Sequence, residues 1–209
     1  MQFSDDVIDG LPLSTEMRGE IMVIGITGGS GGGKTTVSKE FKRLGFNIID
    51  ADEVAHKVME KGSTCLKDVI YTFGKEYLNE KGELDRKKLG ALVFNNPDKL
   101  ALLNSITHKH IISKIKEQIT DKTVIDAIGL FDTELYSLCD STIFVYCPKE
   151  IRVKRIMERE GINESYAISR INAQKDDEYF KAKADFTVVN DGTEDIIKQL
   201  KGFYGEEIF

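Results

Sequence analysis

The stretch "GGSGGGKTT", residues 28–36, satisfies the spacing G-x-x-x-x-G-K-[ST] through Gly28, Gly33, Lys34 and Thr35. Gly28, Gly31, Gly32 and Gly33 free the backbone to take φ > 0 and to approach an anion closely, so that successive N–H groups turn inward around a phosphate. A helix beginning near Lys34 and running through Thr35 and Thr36 adds its unpaired N–H groups and the positive end of its dipole. Lys34 is then placed to reach the β and γ phosphates of a nucleotide, and the Thr35 hydroxyl to bind Mg²⁺. The six leading residues also have the composition of a flexible linker. A linker, however, joins complete domains, and only a short polar segment lies upstream.

Further chemistry is suggested by acids and cations downstream. Asp50 and Asp52 leave the end of an apolar run, where ligands of open parallel sheets sit. Asp52 is equally suited to cap a helix starting at Glu53. Asp126, in "TVIDAIG", ends another apolar run, as a magnesium-holding carboxylate would; a turn-forming role suits it too. Arg152, Arg155 and Arg159 are spaced three and four apart, hence roughly on one helix face. Such a face is either solvated or poised over a migrating phosphoryl group. His108 and His110, two apart, point to different sides of a helix and complete no metal triad. "DAIG" and "QKDD" echo the DxxG and NKxD elements of GTPases, but the second follows a helical pattern where a strand is required, which argues against that class.

The elements that must position these residues can be read from periodicity. Glu20–Thr27, Phe46–Ile49, Thr123–Ile128, Ser141–Cys147 and Asp185–Val189 are short apolar runs of the kind that form strands buried on both faces. Helical spacing follows the glycine loop at Val37, Phe41 and Leu44, and a long helical stretch from Glu53 to about Ile119 is broken near "NEKGE". Helical stretches also separate the later strands. Strands alternating with helices predict an α/β fold with a parallel sheet and helices on both faces. Residues 1–20, polar and without periodicity, read as an extension outside a domain of residues 21–209.

Composition narrows the partners. With 41% hydrophobic and 31% charged residues the chain has ordinary globular values, and no apolar run approaches the ~18 residues of a membrane span. The start lacks a basic region followed by an apolar core, so a cytoplasmic protein without membrane partners is expected. A net charge of −6 gives no general attraction to nucleic acid. Cys65, Cys139 and Cys147 lack CxxC spacing and read as reduced, buried thiols.

Taken together, these segments resemble the dephospho-coenzyme A kinase family. "TGGSGGGKTT" stands at its TGGIGSGKST, "IIDADEVAHKV" at its IDADxxAR, and "FGKEYLNEKGELDRKKLGALVFNNPDKLALLNSITHKHI" at its long insertion ending in LHPxI. "RVKRIMERE" and "RINAQ" stand at its lid and "KADFTVVNDGT" at its ADxVIxNxG. The resemblance runs from about Ile21 to Leu200. It implies a three-layer P-loop fold with a five-stranded parallel sheet ordered 2-3-1-4-5. It also implies an acceptor-binding helical insertion over about 53–120 and a lid over about 150–183. The implied reaction moves the ATP γ-phosphoryl group to the ribose 3′-hydroxyl of dephospho-CoA. In the family pattern Asp52 acts on that hydroxyl, His108 falls on the acceptor side, Arg155 or Arg159 closes over ATP, and Asn190 and Gly192 lie near the adenine. The sequence departs from the pattern in "DAIGLFD", where the family has DVPLLFE, and in Thr107-His108-Lys109, where it has LHP. Another small-acceptor P-loop kinase is the alternative, and a nucleotide-dependent switch a more distant one.

Overall fold

The computed structural model describes residues 21–206, 208 and 209, so the expected extension over residues 1–20 lies outside the described residues. Five parallel strands form one sheet: β1 (Met22–Thr27), β2 (Asn47–Asp50), β3 (Lys122–Asp126), β4 (Ser141–Tyr146) and β5 (Phe186–Val189). Their spatial order is β2-β3-β1-β4-β5. The central strand β1 alternates its side chains between two cores, which is why its sequence is apolar throughout. Ile24 and Ile26 point into a cluster with Val37 and Phe41 of α1 (Lys34–Arg43) and Leu200 and Tyr204 of α9 (Ile196–Tyr204). Val23 faces the other cluster, with Ile125, Val54 of α2 (Ala51–Val58) and Ile112 and Ile115 of α5 (Pro97–Lys116). The result is three layers, helix on sheet on helix.

Residues 51–116 carry a small core of their own. Met59, Cys65, Val69, Leu89, Val93 and Ile106 pack together from α2, α3 (Thr64–Phe73), α4 (Arg86–Phe94) and α5. Between β4 and β5, α6 (Lys149–Glu160) and α7 (Glu164–Asn172) form a hairpin around Val153, Ile156, Ala167 and Ile171, followed by the short α8 (Asp177–Lys181).

Two local expectations change. The segment joining β3 to β4 holds two short 3₁₀ turns, 130–132 and 134–138, where an α-helix was anticipated. The α2 and α5 helices of the insertion already cover that face of the sheet. Leu130 presses onto β1 so closely that a Cβ on Gly25 would lie 2.7 Å from it. The second change concerns Asp52: the helix begins at Ala51, and Asp50 caps it, accepting from the Asp52 and Glu53 amides at 2.9 and 3.0 Å. Asp52 is therefore relieved of the capping role.

Candidate functional site

Strand register brings the acids and the loop to one edge. Asp126 pairs with Ile26 of β1 on one side and with Asp50 of β2 on the other, so the carboxyl ends of all three strands meet where the glycine loop begins. Within the loop, Gly31 and Gly33 adopt φ of 78° and 91°, and Gly33 caps α1 in the left-handed conformation. The Gly32 amide donates to Gly29 O at 3.0 Å and the Thr36 amide to Gly33 O at 2.9 Å. Among the described residues the amides of Gly31, Gly33, Lys34 and Thr35 have no protein acceptor. A row of unpaired N–H groups in a glycine loop and at a helix N-terminus is suited to receive an anion.

Lys34 Nζ stands 3.8 Å from Asp126, and the Ser38 hydroxyl lies 3.2 Å from the same carboxylate. Burial pushes the Asp126 carboxyl above the ordinary carboxylate range; Lys34 opposes the shift, whereas Asp50 and Asp52 reinforce it. The loop, the strand-end acids and the α6–α7 hairpin surround a polar cavity of about 210 Å³ whose wall includes Lys34, Thr35, Asp50, Asp52, Asp126, Arg159 and Arg170. Three carboxylates and a threonine hydroxyl around a phosphate cradle are hard oxygen donors of the kind Mg²⁺ takes. Among the described residues no three His, Cys, Asp or Glu side chains close into a metal site.

Asp52 lines a second cavity as well. This one, of about 180 Å³, is mainly apolar and lies between α2, α5 and the 127–135 segment, with His108 and Ile111 in its wall. A third hollow of about 250 Å³ shares Ala55 and Ile111 with it and continues along the insertion past Arg86, Leu89 and Leu103. His110 points elsewhere, as its spacing from His108 requires, and bonds Asp68 at 2.8 Å.

Several expected site residues serve the loop from behind. Arg155 Nη1 donates to Gly31 O and Gly32 O at 3.3 and 3.4 Å, and the buried Asn190 amide donates to Gly32 O at 3.0 Å. Neither these two nor Gly192 lines the phosphate cavity, whereas Arg159 does. Gly28 also works from behind, since a Cβ there would sit 2.7 Å from Val145 O. Sequence reading missed Arg170, which Glu160 pairs with Arg159 by accepting from both guanidinium groups. The signal available was its place in "RINAQ", the partner helix of the arginine-bearing α6. Arg152 is neither solvated nor in the cavity: it is buried, with Nε donating to Ser30 O at 3.0 Å. Residues of the "QKDD" echo serve the same network, for Gln174 and Asp177 both accept from Arg152.

A parallel sheet of this order, with its phosphate cradle between β1 and α1 and a cationic hairpin facing it, defines a P-loop kinase. Comparison with known proteins narrows the class. The dephospho-CoA kinase family model matches residues 22–195. A dephospho-CoA kinase of Carboxydothermus hydrogenoformans is 42% identical over 178 residues, covering 82% of this chain and 86% of the relative. Among solved structures, a dephospho-CoA kinase from Campylobacter jejuni aligns with a TM-score of 0.59 at 29% identity, covering 89% of this chain and 92% of its own. A Thermus thermophilus protein aligns at 0.75 and 26%, covering 90% and 98%. The chain belongs to the dephospho-CoA kinase family.

Proposed function

We propose that the enzyme transfers the γ-phosphoryl group of ATP to the ribose 3′-hydroxyl of dephospho-CoA, forming CoA and ADP, the last step of coenzyme A biosynthesis. The observation that carries this reading is the position of Asp52 in the walls of both the phosphate cavity and the apolar cavity beside it. A carboxylate at that junction stands between donor and acceptor, the place from which a hydroxyl can be aligned for in-line attack.

The unpaired amides of the loop hold the β phosphate, and Lys34 turns from Asp126 to the β and γ oxygens. Thr35 and Asp126 would hold Mg²⁺, which would supply positive charge against the phosphates. Asp52, with no donor paired to its carboxylate among the described residues, accepts the hydrogen bond of the 3′-hydroxyl and takes its proton as the new P–O bond forms. Arg159 and Arg170 stabilise charge on the migrating group. His108 and the apolar walls of the second and third hollows orient the acceptor. Asn190, whose side-chain amide donates to Gly32 O, and Gly192 two residues on would border the adenine. The reaction is assigned to the cytoplasm; among the described residues no helix is long and apolar enough to cross a membrane.

The test is release of ADP with and without dephospho-CoA, using nucleosides and nucleoside monophosphates as competing acceptors. Strong stimulation by dephospho-CoA alone is expected. Equal or greater stimulation by another acceptor would reassign the enzyme within the P-loop kinases, and none at all would remove the kinase reading.

A further inference from the structure

The glycine loop is gripped from outside by residues of the segment that carries the cationic hairpin, and the grip centres on Ser30. Gln174, just beyond the C-terminus of α7, accepts from the Ser30 amide at 2.9 Å and donates to the Ser30 hydroxyl at 2.9 Å. Arg152, from the second turn of α6, donates through Nη2 to the same Gln174 oxygen at 3.3 Å and through Nε to Ser30 O at 3.0 Å. Asp177, at the start of α8, accepts from the remaining Arg152 nitrogen at 3.4 Å. All three hydrogen-bonding groups of Ser30 are thereby occupied by the hairpin segment. The amide orientation of Gln174 is fixed by chemistry, since its oxygen faces two donors, which an NH₂ group there would oppose. Arg152 and Ser30 are 5% and 6% exposed, so the bond between them is shielded from water, and those of Gln174 are partly so.

The same contact explains a glycine that φ does not. Gly29 has no positive φ, yet a Cβ there would lie 2.0 Å from Arg152 Nη2 and 3.1 Å from the Gln174 oxygen. At Gly31 a Cβ would meet the Arg152 carbonyl at 2.7 Å. Part of the loop's glycine content thus makes room for α6 and Arg152 and not for the phosphate alone.

We infer that Gln174, oriented by the buried Arg152, is a positioning residue for phosphoryl transfer. By occupying the Ser30 amide and hydroxyl it fixes the apex of the loop, leaving the amides of Gly31, Gly33, Lys34 and Thr35 as the phosphate-facing set. Because Gln174 and Arg152 lie in the segment that brings Arg159 and Arg170 to the cavity, the network also sets the loop and the two cations in one frame. The inference rests on the reading of the loop as the ATP site.

The test compares wild type, Gln174→Ala, Gln174→Glu and Ser30→Ala by titration with a fluorescent ADP analogue and by steady-state kinetics, with thermal unfolding measured alongside. Gln174→Ala is expected to weaken nucleotide binding about tenfold, the scale of one or two lost hydrogen bonds, and to lower kcat while the KM for dephospho-CoA stays within twofold. Gln174→Glu can accept from both Ser30 groups and pair with Arg152, and is expected to recover most of the binding. Combining Ser30→Ala with Gln174→Ala is expected to add little to the single change, because the two side chains act together. Nucleotide binding by Gln174→Ala within twofold of wild type, no recovery in Gln174→Glu, or full additivity of the pair would overturn the inference. Should Gln174→Ala not fold, Ser30→Ala carries the test, with about threefold weaker nucleotide binding expected and an unchanged affinity overturning it. A wild-type protein that binds nucleotide but ignores dephospho-CoA would refute the acceptor assignment, and the binding comparison would still decide the role of Gln174.

Discussion

On the donor side of the cleft a row of backbone amides lies among charged side chains. Loop amides point inward while Arg155, Asn190 and Gln174 hold the loop from behind. On the proposed acceptor side the wall is largely apolar side chain, from α2, α5 and the 127–135 segment, with Asp52, His108 and Thr133 as polar groups. The difference follows from what each side must recognise. A triphosphate presents the same oxygens in every nucleotide, so a fixed cradle of N–H groups suffices. A particular acceptor must be distinguished by shape and by a few polar contacts. Among the departures from the family pattern, Gly129 and Thr107 line the apolar hollows and Ile128 lines the phosphate cavity, while the loop keeps the G-x-x-x-x-G-K-[ST] positions.

That contrast is broken most severely at the junction. Asp52→Asn is expected to lower kcat about 1,000-fold, the scale of a lost general base, with ATP-analogue affinity nearly unchanged in equilibrium titration. Lys34→Ala should cost about 100-fold in kcat and also weaken nucleotide binding, because Lys34 meets the donor in ground and transition states alike. Arg159→Ala is expected to lower kcat about 30-fold while the KM for ATP moves less; a change in KM alone would place Arg159 in binding only. His108→Ala should raise the KM for dephospho-CoA about fivefold and leave the KM for ATP unchanged, which would assign it to the side-chain wall.

The smallest effect concerns stability. A carboxyl raised by burial, as Asp126 is, contributes most to stability while protonated, and that contribution is lost as pH rises through its raised value. Asp126→Asn is permanently neutral. It is expected to raise the melting temperature of the ligand-free enzyme at neutral pH while lowering turnover. The gain should shrink in acid, where the native carboxyl is itself protonated, and a lower melting temperature at neutral pH would show that the Lys34 pair outweighs burial.

Much of the donor side was legible in the sequence because its signals are local. Strand, loop and helix follow one another within residues 22–43, and the motif carries its mechanism in its spacing. Asp52 was legible as a candidate, but its freedom from capping was not, since that depends on whether the helix starts at Ala51 or Glu53. What could not be read were contacts that cross the chain. Arg152 reaches Ser30 over a separation of 122 residues, and Gln174 reaches it over 144. On α6 the three arginines share a spacing but not a fate: Arg152 is buried, Arg155 braces the loop and Arg159 faces the cavity. Periodicity placed them on a helix face, and packing of that face against the loop decided which of them met the phosphate side.

The central claim, that Asp52 joins a phosphate site to the acceptor's ribose, is tested most directly by where the phosphoryl group lands. Product formed from ATP and dephospho-CoA would be examined by ³¹P NMR for coupling to the ribose 3′ proton, with ADP measured in the same sample. The expected result is CoA phosphorylated at the 3′-oxygen with one ADP released per product. Phosphate at another position, or ADP released without a phosphorylated acceptor, would contradict it.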